Sequence, residues 1–319
     1  MSNTFKWSDT KSIIAFGDSY TYVQGTRGYP KYSFIGDYEN NFSFTPEELL
    51  SNEIIQSYLN GTSAGGPNWV EYISGCGVKE GLTLPSACKV QLWDFAFAGA
   101  NTAEKFLPLH HAYTIPMVNQ TQQYLTYAEP VLKTRIDKAK SLVAIWIGIN
   151  DINDSASLDV DLSDFYEQNI AFMFEESVTP LYGAGYRNFL FVNLPPLHRT
   201  PSNQKKANPL PNATMIGWWN SHLSDHSARF SRKHKSAKTM VYDSFSFLNK
   251  VLDNPEKYHI TNTTDFCPGY KNATVVTDPE AFGCTPIDGY FWFDSGHITS
   301  HVHKLLAKDL EADLKSWSS

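Results

Sequence analysis

The chain has 319 residues, 42% of them hydrophobic, enough to bury a full core as one large domain or two small ones. Its formal charge is −7, from 26 basic and 33 acidic side chains, which argues against general attraction to nucleic acid or an anionic membrane surface. No apolar stretch reaches the roughly 20 residues a membrane-spanning helix needs, and residues 1–12 lack the apolar centre of a signal peptide.

Ile13-Ile14-Ala15-Phe16 is an apolar run that stops at Gly17-Asp18-Ser19-Tyr20. It predicts a buried strand over 12–16 that presents a hydroxyl at its carboxyl edge. Residues 24–68, rich in Gly, Tyr, Asn and Ser, read as a long insertion with one helix from Pro46 to Leu59. A short helix from Pro67 to Ser74 follows, with Trp69, Val70 and Ile73 on its apolar face. Val90 to Phe97 predicts a second strand, ending in Ala98-Gly99-Ala100-Asn101-Thr102. A helix or helix pair over 119–139 is expected to break at Pro130. Leu142 to Ile147 is a third strand, ending in Gly148-Ile149-Asn150-Asp151, and a long amphipathic helix over 161–182 comes next. Phe189 to Asn193 and Thr239 to Tyr242 are the fourth and fifth strands, with helices over 212–232, from Ser244 to Leu252, and from about Thr299 to Leu314. Strands alternating with helices predict an α/β fold, a three-layer α/β/α sandwich around a five-stranded parallel sheet. No linker or internal repeat divides the chain, so residues 1–319 read as one domain with loop insertions at about 24–68 and 254–290.

The four cysteines fall into two sequence-local pairs, Cys76 with Cys88 and Cys267 with Cys284. That pattern suits two disulfides closing short loops, each worth about 3 kcal/mol in the chain-entropy picture, and no Cys-x-x-Cys spacing suggests zinc. Glycosylation sequons begin at Asn41, Asn60, Asn119, Asn153, Asn212, Asn262 and Asn272. Together these features point to a secreted, extracellular glycoprotein whose signal peptide lies outside this sequence.

Gly17-Asp18-Ser19, Gly99, Gly148-Ile149-Asn150-Asp151 and Asp294-Ser295-Gly296-His297 resemble, in order and content, the four blocks of the SGNH (GDSL-type) hydrolase superfamily. The resemblance runs from residue 13 to the final helix and implies a flavodoxin-like strand order. It also implies an acyl-transfer site, which needs a nucleophile, a base, a group that orients the base, and donors for the developing oxyanion. Ser19 would attack, His297 would take its proton, and Asp294, three residues earlier, would fix the imidazole tautomer. The N–H groups of Ser19 and Gly99 and the amide of Asn150 would form the oxyanion hole, with Gly99 letting backbone approach the reacting carbon unobstructed. Two positions depart from the family pattern: Tyr20 stands where Leu is usual, and Ile298 where Pro is usual.

The stretches Phe16 to Thr21, Trp146 to Asp151 and Asn193 to Pro201 look like fungal secreted acetylesterases of carbohydrate esterase family sixteen. The resemblance implies a serine esterase that removes acetyl groups from sugars of plant cell-wall oligosaccharides. It implies no cofactor and no metal, a small acetylated saccharide as partner, no nucleic acid or membrane partner, and a monomer. Tyr29, Tyr32, Tyr38 and Asn40 in the insertion suit a sugar ring and its hydroxyls, and Trp146 and Trp292 are placed to narrow an acyl pocket.

Other readings compete. Gly61-Thr62-Ser63-Ala64-Gly65 fits a Gly-x-Ser-x-Gly nucleophile elbow, but an elbow follows a buried strand, and Glu53 to Leu59 reads as helix. His297, His301 and His303, with His110-His111 elsewhere, allow a metal reading in which His297 and His301, four apart, share a helix face, yet no Glu completes a His-Glu-x-x-His motif. A sugar-binding glycoprotein would use Trp218, Trp219 or Trp292 as platforms. A lipase or phospholipase of the same fold would act on longer acyl esters.

Overall fold

A computed structural model describes residues 5–317. Among the described residues there are seven strands: β1 (Ser12–Gly17), β2 (Ile54–Gln56), β3 (Gly81–Thr83), β4 (Gln91–Asp94), β5 (Ser141–Trp146), β6 (Asn188–Val192) and β7 (Lys238–Tyr242). Five of them form one parallel sheet in the order β4-β1-β5-β6-β7. All six residues of β1 and of β5 are buried, as expected for strands covered on both faces. Helices Trp69–Ser74, Ser244–Asp253 and Ser300–Trp317 cover one face; Met117–Gln123, Leu162–Met173 and Ala213–Lys233 cover the other. This is the three-layer α/β/α sandwich.

The order fixes where chemistry can gather. The chain goes from β1 to β4 on one side, then crosses β1 to reach β5 on the other. The carboxyl end of β1 therefore opens into the crevice where successive connections part, the usual ligand site of an open α/β sheet. Gly17 closes that strand tightly: a Cβ there would lie 2.1 Å from the Trp146 carbonyl oxygen, and its φ is +155°. The Gln120 side chain bridges the same residue, accepting from Gly17 N–H (3.0 Å) and donating to its carbonyl (2.8 Å).

Several elements differ from expectation. The helix expected from Pro46 to Leu59 ends at Ser51, and Ile54–Gln56 pairs antiparallel with Gly81–Thr83 in a small second sheet. Asn52 draws the chain out of the helix, donating from Nδ2 to the Phe34 carbonyl and accepting at Oδ1 from Arg27 N–H. The β-branched Ile54-Ile55 then suits an extended ladder. Pro130 does not break its helix. Residues Tyr124–Ala128 form a π turn immediately before Glu129–Leu132, and the wider turn makes room for the proline ring. The same device, Phe174–Val178, precedes Pro180 in the helix expected over 161–182. A helix not foreseen, Ile149–Ser155, starts directly after β5, so Asn150 lies in a first helical turn rather than a loop.

Disulfides join Cys76 to Cys88 and Cys267 to Cys284. The sequon residues Asn41, Asn60, Asn153, Asn212 and Asn272 are exposed, whereas Asn119 and Asn262 are half-buried. No helix among the described residues is long and apolar enough to cross a membrane.

Candidate active site

Four chain segments meet at the carboxyl edge of the sheet. Ser19 follows β1 in a turn and is half-buried. Its Oγ lies 2.8 Å from His297 Nε2. His297 Nδ1 faces both carboxylate oxygens of Asp294, at 2.9 and 2.8 Å. Asp294 is itself held, since its Oδ1 accepts from the N–H groups of Gly296 and His297, both at 2.8 Å. Burial raises the Asp294 carboxyl, but the His297 imidazole and these hydrogen bonds outweigh it and hold the group below its ordinary value. Burial pulls His297 down, and the Asp294 carboxylate outweighs that in turn, keeping the imidazole above its usual value. An ionised Asp294 beside Nδ1 leaves Nε2 as the nitrogen able to accept a proton from Ser19.

The oxyanion-hole candidates lie on the neighbouring strand ends. Among the described residues no carbonyl accepts the N–H of Ser19 or of Gly99, so both are free to donate to a ligand. Asn150 donates one amide hydrogen from Nδ2 to the Ala100 carbonyl at 2.9 Å, which leaves its second hydrogen available. Gly99 has φ +84°, and a Cβ there would meet His110 Nδ1 at 3.3 Å. Glycine is therefore needed for its own left-handed backbone and for the imidazole packed on it.

Buried carboxyls tie these segments together. Asp18 accepts at Oδ1 from Tyr20 N–H (3.0 Å) and lies beside the Ile149 N–H at the start of the Asn150 helix, its Oδ2 buried without a hydrogen-bond partner. Burial, offset in part by the Tyr20 N–H, pushes its carboxyl up to about 7. Asp151 accepts the Thr102 N–H with both oxygens, at 2.9 and 3.1 Å, and burial pushes it also to about 7. Asp154, one turn later, takes Asn101 Nδ2 (3.1 Å) and His110 Nε2 (2.7 Å). The bond to Asp154 raises the His110 imidazole. The loop after β4 is thus stitched to the helix after β5 at Asn150, Asp151 and Asp154. Sequence reasoning missed Asp154 and saw His110 only as a stray metal ligand. Their partners lie 44 and 53 residues away in sequence, so no local spacing signals them.

Other expected contributors sit elsewhere. Ser63 lies beside the buried Tyr22 hydroxyl. Its loop docks on the Asp294–His297 segment: Ala64 accepts from Ser300 N–H at 2.9 Å, and Gly65 packs on the Phe293 ring. β2 ends at Gln56, well before Gly61, and no helix opens at Ser63, so the elbow geometry is not formed. Trp146 and Trp292 are buried (0% and 1% exposed) and form no pocket wall; Trp292 Nε1 donates to the Thr263 carbonyl. Trp219 is likewise core, while Trp218 is 39% exposed. His301 pairs through Nε2 with the Tyr258 carbonyl, and His303 is buried. Tyr29 and Tyr32 are exposed, Tyr38 is half-buried, and the side chain of Asn40 lies outside the described residues.

A parallel α/β sheet with a serine, a histidine–aspartate pair and free N–H donors at its strand ends has the layout of an ester hydrolase. The chain belongs to the GDSL-like lipase/acylhydrolase family, whose model matches residues 13–310. It is a carboxylic ester hydrolase of the SGNH type. Among curated relatives, an acetylesterase of Thermothelomyces thermophilus is 25% identical over 305 residues, covering 94% of this chain and 86% of that protein. An acetylesterase of Hypocrea jecorina is 24% identical over 332 residues, covering 94% and 88%. A GDSL esterase/lipase of Arabidopsis thaliana is 24% identical over 345 residues, covering 99% and 89%.

Proposed function

We propose that this chain is a secreted serine esterase that removes acetyl groups from sugars of partly acetylated plant cell-wall oligosaccharides by an acyl-enzyme mechanism. The observation that carries the chemistry is the continuous relay from Ser19 Oγ through His297 to Asp294, every contact 2.8–2.9 Å. Ser19 donates its proton to His297 Nε2 and attacks the acetyl carbonyl. The oxyanion that forms is met by Ser19 N–H, Gly99 N–H and Asn150 Nδ2. His297 then protonates the departing sugar hydroxyl, and afterwards takes a proton from the water that frees acetate. No step calls for a metal or cofactor.

The two acetylesterase relatives support acetyl as the acyl group. Exposed Tyr29 and Tyr32 on the insertion supply ring faces of the kind that stack on sugars, and two disulfides suit a protein outside the cell. The likeness to an esterase/lipase favours the second reading, hydrolysis of longer acyl esters. Rates on 4-nitrophenyl esters from acetyl to octanoyl, beside acetylated xylo-oligosaccharides, separate the two. The proposal expects kcat/KM to fall steeply from acetyl to butyryl; an equal or higher value on octanoyl overturns it. Ser19→Ala should abolish activity and Ser63→Ala should spare most of it; a dead Ser63 variant with a live Ser19 variant rejects the relay.

A further inference from the structure

Tyr20 stands directly after the proposed nucleophile, where the family usually carries Leu. Its ring is 1% exposed. It lies 5.2 Å from the Trp146 ring, 5.6 Å from His297 and 5.8 Å from His303, centroid to centroid. Its hydroxyl donates to the Gly296 carbonyl at 2.7 Å, a bond no Leu could make. That carbonyl belongs to the same planar peptide unit as the His297 N–H, and this N–H donates to Asp294 Oδ1 at 2.8 Å. One rigid amide thus passes a hydrogen bond from the segment of Ser19 to the carboxylate that faces His297 Nδ1.

Tyr20 keeps its proton in this setting. Burial first, then the nearby Asp294 and Asp18, drive the phenol far above its ordinary value. His303 closes the space behind the ring, and burial pushes it down to about 3, so it adds no charge beside His297. The groups facing His297 are then Asp294, Asp18, neutral His303, and the hydroxyls of Ser19 and Tyr20.

We propose that Tyr20 is a positioning residue, which through the Gly296 peptide holds the Asp294–His297 turn in register with Ser19. The inference rests on the Ser19–His297–Asp294 reading. The test is Tyr20→Phe, which keeps the ring and deletes only the donor, assayed for kcat and KM on 4-nitrophenyl acetate across pH, with Ser19→Ala alongside. Loss of one hydrogen bond that acts through the base should lower kcat about 3- to 10-fold with KM little changed. With the turn loosened, Asp294 supports the imidazole less and burial gains weight, so the acid limb of kcat should move to lower pH. If little folded variant is recovered, the pH dependence of Ser19 labelling by a fluorophosphonate reads the same limb on the folded fraction. A limb that stays or moves upward, or a loss confined to KM, overturns the proposal. If Ser19→Ala remains active, the underlying relay has failed instead.

Discussion

Replacing Asp294 by Asn perturbs the relay at its most constrained contact. Oδ1 takes the N–H groups of Gly296 and His297 at 2.8 Å, while Oδ2 lies 2.8 Å from His297 Nδ1. An amide offers one oxygen. The two backbone donors claim it, because an amide NH₂ at that position would face N–H groups. The NH₂ then takes the place of Oδ2 and donates to Nδ1, which forces the imidazole proton onto Nε2. That nitrogen, 2.8 Å from Ser19 Oγ, can no longer accept the serine proton. In a Ser-His-Asp protease the same wrong tautomer lowers kcat by about 10⁴, or about 5.4 kcal/mol of barrier. The assay is kcat and KM on 4-nitrophenyl acetate across pH, with thermal melting to confirm the fold. Under the proposed mechanism His297 must be neutral to act in the parent enzyme, and it is held above its ordinary value, so activity should rise with pH through a midpoint above that value. In Asp294→Asn kcat should drop by about 10³–10⁴ with KM nearly constant, and the residual acid limb should move down as the supporting charge is lost. A fall of less than about tenfold would refute Asp294 as the group that orients the base.

Asn150→Ala should lower kcat by roughly 10²–10³ with little change in KM, as for loss of one oxyanion donor; an effect on KM alone would assign Asn150 to ground-state binding. Asp18 has a folded-state value near 7 against an ordinary value near 4, so the folded protein keeps a proton that the unfolded chain gives up across that window. Stability should therefore decline as pH rises from 4 to 7, by at most about 4 kcal/mol from this group, and Asp18→Asn should flatten the melting profile there; an equally steep profile in the variant rejects the assignment. Removing the Cys267–Cys284 bridge by a double Ser substitution should reduce activity more than removing Cys76–Cys88, since its loop leads into Tyr290 to His297; comparable activities after both would contradict that coupling.

The sheet was legible because every central strand is an apolar run with a sharp polar end. β1 and β5 announce themselves in sequence, and both are buried throughout. That Ser19, His297 and Asp294 would be brought together was legible for a related reason: they stand in short segments with glycine beside the candidate residue. What stayed hidden depends on contacts distant in sequence or on backbone adjustments without a residue code. Ile54-Ile55 follows a good helix start at Thr45, yet Asn52 bonds to Phe34 and Arg27 and ends the helix. Pro130 and Pro180 look like breaks, and a π turn ahead of each absorbs them. Tyr20 reads as a simple departure from the family pattern until Gly296, 276 residues away, is brought to its hydroxyl.

Strand register alone would leave four independent loops at the sheet edge, each free to fray. The cross-links differ in kind according to what they hold. Between the proposed oxyanion-hole segments the tie is a buried acceptor on a backbone N–H group, Asp151 on Thr102. Such bonds fix peptide planes, and peptide N–H groups are what the oxyanion needs aimed. Between the nucleophile and the acid–base turn the tie is instead a neutral donor, Tyr20, on a backbone carbonyl. A carboxylate there would add a second negative charge beside Asp294 and a further upward pull on His297. A neutral hydroxyl fixes the turn and adds no charge of its own, leaving the imidazole's proton affinity to burial and to the carboxylates already beside it, Asp294 foremost and then Asp18. A neutral link between the Ser19 segment and the Asp294–His297 turn lets the site be rigid while Asp294 remains the carboxylate that acts most on the base, ahead of Asp18.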